Sequence, residues 1–327
     1  NEAATISQRA GAAGVGAKAY KYGNGKATIN EGDFNSGRHV TISAASVGIG
    51  AYQNGANGNV AINVAANVQI TTTSSYGIQA FIAGAGTMSV ATADTDVINS
   101  GSSGIVATNG ATALAGSANS AITVSAHGTI NSGGYINANG PTTIAGILAG
   151  YNNGSTSTAN PNINGTVTVN NYANISMLAN TVREFGIDAF NYGNGDVTVN
   201  DEAGTTISVV NGVTNSAAIG AFSNVAGTGN VAVNLLGNAS VSNTIGFGIA
   251  ATAAGSGTLT ITTAQQSQVS GGTVGINASA AGGKLTIANN GSVSGATGVS
   301  AGASGSNDIA ITNAGSITGI GTGANNF

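Results

Sequence analysis

The sequence predicts an all-β protein: a right-handed parallel β-helix with three sheets around one axis, in about ten coils. Three observations predict it. A Gly-Ile-x-Ala pattern recurs ten times, its starts 23 to 42 residues apart. Two further short apolar runs follow within most units, and turns rich in Gly and Asn separate the runs. The composition combines 53 Gly and 41% hydrophobic residues with only 2 Pro and 6% charged residues among 327, unlike ordinary soluble domains, collagens or disordered chains.

The first run starts at Gly16, Gly48, Gly77, Gly104, Gly146, Gly186, Ala218, Gly248, Gly275 and Gly298, and its fourth residue is Ala in all ten. Alternation puts the Ile and the Ala on one face of a strand. The turn that follows, as in Gly23-Asn24-Gly25, Gly84-Ala85-Gly86 or Gly193-Asn194-Gly195, is expected to use positive φ, which Gly and Asn accept. The second run is an alternating triplet such as Val60-Ala61-Ile62, Val167-Thr168-Val169, Val197-Thr198-Val199 or Leu259-Thr260-Ile261. The third is shorter: Val40-Thr41-Ile42, Val68-Gln69-Ile70, Val97-Ile98, Thr129-Ile130, Ile207, Val241, Val293 and Ile317.

Three such strands cannot bury an apolar face alone, whereas stacked coils can, each strand pairing in parallel with its equivalent one coil away. Parallel connections of this kind are right-handed. Ten coils at about 4.8 Å make a rod of roughly 5 nm. Residues 1–327 read as one solenoid, a fragment of a longer chain, without a C-terminal membrane barrel. The stretch Glu2 to Ser7 reads as the third strand of a coil whose start is absent, and Gly319 to Phe327 as a weak next first strand. Longer loops are expected in coils four and five, near 108–120, 131–145, 151–164 and 177–185.

Two ladders are expected along the rod. Asn30, Asn63, Asn170, Asn200 and Asn234 follow second strands, where stacked amides can bond to one another. Tyr20, Tyr52, Phe81, Phe190 and Phe222 follow the recurrent Ala and face outward by alternation. They form either a stabilising aromatic stack or a binding stripe for sugars or a partner.

The seven Lys and Arg form no dense patch, which argues against a nucleic-acid partner. Cysteine is absent, which excludes disulfides, Cys-ligated zinc and a Cys nucleophile. No apolar run reaches 18 residues, so this segment is not expected to insert into a membrane as a helix. The Gly turn is no phosphate loop, because it recurs in every coil and no helix follows. Neither a metal nor a cofactor is expected. The densest acids surround unit six: Glu184, Asp188, Asp196, Asp201 and Glu202, with Arg183. They are expected to form a solvated charged band. The alternative makes Asp188, Asp196, Asp201 and Glu202 catalytic groups of a polysaccharide-active lyase or hydrolase, chemistry that needs paired acids at one bond.

The unit "GI.A(Y/F)..G.G.V.VN" resembles the repeats of bacterial autotransporter (type V secretion) passenger domains. The resemblance covers essentially the whole chain as a repeat style. It implies an extracellular or cell-surface protein, such as an adhesin, a stalk or a ligand for a host receptor. Its expected partners are surface molecules or glycans of host or neighbouring cells. Open ends of the solenoid add a further expectation, end-to-end self-association into a fibre.

Overall fold

The computed structural model describes residues 5–7, 14–33, 38–111, 120–133, 143–151, 162–178, 182–210, 213–224, 227–304 and 307–321. Among them lie 31 strands and no helix. The strands form three sheets of 11, 10 and 10 members, and each strand pairs in parallel with the strands three places before and after it. Sheet 1 runs from Ala17–Lys21 to Thr297–Ala303, sheet 2 from Gly25–Glu31 to Ile309–Asn313, and sheet 3 from Thr5–Ser7 to Ser316–Gly319. The chain is therefore a three-sheet parallel β-helix.

Register follows the repeat. Ile49 lies beside Ile78 and Ala51 beside Ala80, and the same two columns continue to Val299 and Ala301. Nearly all of these side chains are buried, most of them completely. Together with the columns of sheets 2 and 3, they form one continuous apolar interior. Each fully buried Val or Ile contributes about 1.5–3 kcal/mol relative to exposure. The strand Thr5–Ser7 pairs with Val40–Ala44, as expected for a third strand. Two further third strands, Asn174–Met177 and Gln268–Gly271, were not among those expected; they are centred on Ile175 and Val269. The centres of the expected long loops, 112–119, 134–142, 152–161 and 179–181, lie outside the described residues, as does most of the stretch expected to begin a further first strand.

The turn glycines have a different cause from the one expected. Gly25 and Gly86 do have positive φ, but the turn glycines Gly195, Gly229 and Gly257 do not. What excludes a side chain there is the neighbouring coil. A Cβ at Gly195 would stand 1.7 Å from the Gly165 carbonyl oxygen, and one at Gly257 would stand 2.0 Å from that of Gly229. The glycine that opens nine of the ten first-strand motifs is crowded in the same way, Ala218 standing at the tenth: a Cβ at Gly77 would meet Ile98 Cγ2 at 2.3 Å and the Gly104 carbonyl oxygen at 2.8 Å.

Polar groups inside the rod sit at its corners, where turns leave backbone groups without ladder partners. The buried Asn191 donates from Nδ2 to the carbonyls of Gly165 (2.7 Å) and Gly195 (2.8 Å), and its Oδ1 accepts from the Gly193 amide (2.8 Å). On the outer face of sheet 2 the expected asparagine ladder forms in two pieces. Asn63 donates to Asn30 at 2.8 Å, Asn200 to Asn170 at 2.8 Å, and Asn234 to Asn200 at 2.9 Å. Ala91 and Ser125 interrupt it between the pieces.

Candidate functional sites on the lateral faces

The five outward aromatic residues do not form one stack. Each ring that can lie flat does so over a glycine of the same sheet. A Cβ at Gly50 would touch the Tyr52 ring at 2.6–2.9 Å, one at Gly150 the Phe190 ring at 2.6 Å, and one at Gly220 both Phe185 and Phe222 at 2.7 Å. A ring lying down half-buries itself on the sheet. The result is two separate islands, divided by Thr108 and Gly150 in the aromatic column.

The first island is exposed and basic. Tyr20 stacks on Tyr52 with ring centroids 5.4 Å apart, and Tyr22 leans on Tyr20 at 4.5 Å. Lys18 Nζ stands 5.0 Å from the Tyr20 centroid and 5.3 Å from that of Tyr52. The Tyr52 hydroxyl donates to Gln79 Oε1 at 2.8 Å, and Asn54 Nδ2 donates to the Tyr20 hydroxyl. Burial, with Tyr20 and Tyr76 nearby, pushes the Tyr52 hydroxyl up to about 12, so it stays a donor through the physiological range. Phe81, next in this column, makes no ring contact among the described residues.

The second island is a small apolar cluster on the outside of sheet 1: Ala145, Phe185, Ala217 and Ala250, with Leu148, Phe222 and Phe247 against them. Phe185 meets Phe222 edge-on at 6.0 Å, and Arg183 lies over Phe185 at 4.5 Å while its Nε donates to the Asn215 carbonyl at 3.1 Å. Phe190 packs on Tyr192 at 5.6 Å. Sequence reasoning missed Phe185 and Phe247. A signal was present: the residue before the opening glycine is Ala145, Phe185, Phe247 or Val274, an apolar column that extends the strands upstream of the repeat motif.

The acids of unit six overturn the expectation of a solvated band. Asp188 does lie on the outer face, between Leu148 and Gly220 in register, yet it is buried among the apolar cluster. Burial raises its carboxyl to about 7, partly offset by Arg183. Glu184 is buried with neither carboxyl oxygen hydrogen-bonded among the described residues, and desolvation raises it to about 8. Asp201 sits at the corner between sheets 2 and 3. Its Oδ1 accepts from Asn171 Nδ2 (2.7 Å) and Thr205 Oγ1 (2.9 Å), its Oδ2 has no hydrogen-bond partner among the described residues, and burial raises it to about 7 despite those bonds. Only Asp196 and Glu202 reach water. Asp196 Oδ1 accepts from the Asn230 amide at 2.7 Å and lines an open cleft of about 420 Å³ with Ser120, Asn164, Thr166 and Asn194. Asp196 and Asp201 bracket one strand, about 16 Å apart at strand rise, and Asp188 belongs to another sheet. The four candidate catalytic acids therefore do not converge.

One further cluster lies on the corner between sheets 2 and 3. His127 Nδ1 lies 2.6 Å from Asp94 Oδ1, and the His127 ring stacks on Tyr172 at 4.3 Å. The neighbouring Asp96 is buried; burial raises its carboxyl, although the Val68 and Ala93 amides donate to it at 2.9 and 2.8 Å. Among the described residues no group of three or more His, Asp or Glu is placed to hold a metal ion.

Fold and surface together define a repetitive solenoid whose charged groups are few, dispersed and partly internal. No family model, curated protein or solved structure matches the chain.

Proposed function

We propose that this chain is a non-catalytic structural and adhesive rod at a cell surface or in the extracellular space, of the kind carried by autotransporter passengers. The observation that carries this reading is the dispersal of the acids. Glycoside hydrolysis and related chemistry need two carboxylates flanking one bond, and here Asp188 belongs to sheet 1, Asp196 and the buried Asp201 stand at opposite ends of one sheet 2 strand, and Glu202 follows Asp201 at its corner. The repeated lateral surface instead offers amide ladders and flat aromatic seats, suited to many weak contacts whose avidity accumulates along the rod. The test is binding of the purified chain to intact host and bacterial cells, with a product assay on the same polysaccharides. Saturable binding without product supports the reading. Turnover, or no binding to any surface, overturns it.

A further inference from the structure

We propose that the tyrosine–lysine platform of the first coil is a binding site for an acidic polysaccharide, one bearing carboxylate or sulfate groups on a chain of pyranose rings. The proposal rests on the adhesive reading above and gives it a ligand class and a place. Three observations carry it. First, Tyr22, Tyr20 and Tyr52 present three rings in series on the lateral face, at centroid spacings of 4.5 and 5.4 Å. Those steps are comparable to one sugar residue of a polysaccharide, and Tyr22 keeps 78% of its surface open while Tyr20 keeps 40%. Aromatic faces of this kind accept the apolar C–H face of a sugar ring.

Second, one cation lies over the platform, and two more lie at the turn that follows its strand. Lys18 overhangs the Tyr20 and Tyr52 rings. Lys21 lies against the turn that follows, its Cε 3.2 Å from where a Gly25 Cβ would be, and the exposed Lys26 is the next residue. Third, charge is segregated along the chain. Five of the seven Lys and Arg fall within residues 1–40, whereas eight of the eleven Asp and Glu lie beyond them. The two described acids of the first coil are turned elsewhere: Glu31 ends the sheet 2 strand, and Asp33 lies 3.8 Å from Arg38. An anionic chain is thus attracted to this basic stretch. A neutral glycan would use the rings and leave the cations without a role.

The test uses the whole chain and defined probes: hyaluronan oligosaccharides (carboxylate), heparin-derived oligosaccharides (sulfate and carboxylate) and uncharged dextran, by titration calorimetry at low and moderate salt. Binding of one or both acidic probes, but not dextran, is expected, weakening as salt rises. Tyr22→Ala and Lys18→Gln should each lower affinity about three- to tenfold, the range of exposed ring and charge contacts, whereas Lys284→Gln, at a distant exposed lysine, should not. Circular dichroism melting of each variant separates loss of the platform from loss of the fold. Equal binding of dextran, or equal loss in Lys284→Gln, overturns the proposal. So does absence of acidic-glycan binding while the chain still adheres to cells, a result that leaves the adhesive reading standing. Particle mass that grows without glycan and is abolished by Tyr22→Ala assigns the platform to a second copy of this chain and also overturns it.

Discussion

Asp201→Asn should stabilise this protein at neutral pH and erase part of its pH dependence. Asp201 is buried at an internal corner, where Oδ1 accepts from Asn171 and Thr205 and Oδ2 has no hydrogen-bond partner among the described residues. A neutral carboxyl fits that site: it keeps both accepted bonds and avoids burying a charge. Its pKa stands at about 7, above the ordinary 3.8. A folded pKa raised above the unfolded one means that the folded state holds the proton more tightly. The stabilisation is complete below the unfolded pKa, falls as pH rises through the window from about 4 to about 7, and is flat above it. About three units at 1.36 kcal/mol each make the loss on the order of 4 kcal/mol. Asn has the shape of the protonated acid and cannot ionise, so the variant should gain a comparable amount at pH 8 and nothing at pH 4.

A solenoid need not unfold in one step, so the assay should resolve the coil. Hydrogen exchange of the amides in Val197–Asp201 and Thr206–Val209, followed from pH 5 to 8.5 and corrected for intrinsic rates, reads the local opening free energy. Protection in the parent chain should fall across that window and the variant should be flat by comparison. Parent protection that rises with pH, or a variant less protected than the parent at pH 8, would refute the reasoning.

Three further outcomes follow from the same geometry. Gly195→Ala places a methyl 1.7 Å from the Gly165 carbonyl oxygen; the two turns must separate, at a cost of about 1–3 kcal/mol, measured as a lowered denaturation midpoint. Ile187→Ala opens a cavity at a fully buried core position, costing about 2–5 kcal/mol and speeding exchange in the two flanking coils before the distant ones. Asn200→Ala removes the middle of the Asn170–Asn200–Asn234 ladder and should cost about 1–2 kcal/mol, whereas Asn63→Ala, which removes a single ladder bond, should cost less by the same assay.

The winding, the register and the core were legible in the sequence because one physical rule generates them. A column such as Ile49, Ile78, Ile105 recurs because each member packs on its own equivalents. The site was less legible for the same reason. Alternation correctly put Asp188 outside, but it carries no information on whether neighbouring columns cover that face. Phe185, Leu148 and Phe222 do cover it, from three different coils. The aromatic column was visible, but its geometry depended on glycines two places earlier or one coil away. Gly50, Gly150 and Gly220 let rings lie down, and only the structure shows those pairs. Glu184 and Asp201 read as part of a solvated band because charge normally marks exposure, a prior that fails at internal corners.

The same self-stacking accounts for the scarcity of charge. In a parallel, in-register solenoid each side chain lies one strand spacing, about 4.8 Å, from its equivalents, so a repeated charge would meet itself in every coil, and like charges side by side destabilise. The charged residues obey this. Asp188 lies between Leu148 and Gly220, Asp201 between Asn171 and Leu235, Lys18 beside Gly50, and Lys26 beside Asn59. Amides are the exception that stacking favours, since each can donate to one neighbour and accept from the other. Converting Asn170 and Asn200 to Asp together should therefore destabilise the rod by more than the two single changes combined. The excess is about 1–3 kcal/mol at pH 7, set by two carboxylates on adjacent strands near a wet surface. It should vanish near pH 3, where both are neutral. A double-mutant cycle at the two pH values measures it, and strict additivity at pH 7 would show that stacking does not exclude charge from the faces of this fold.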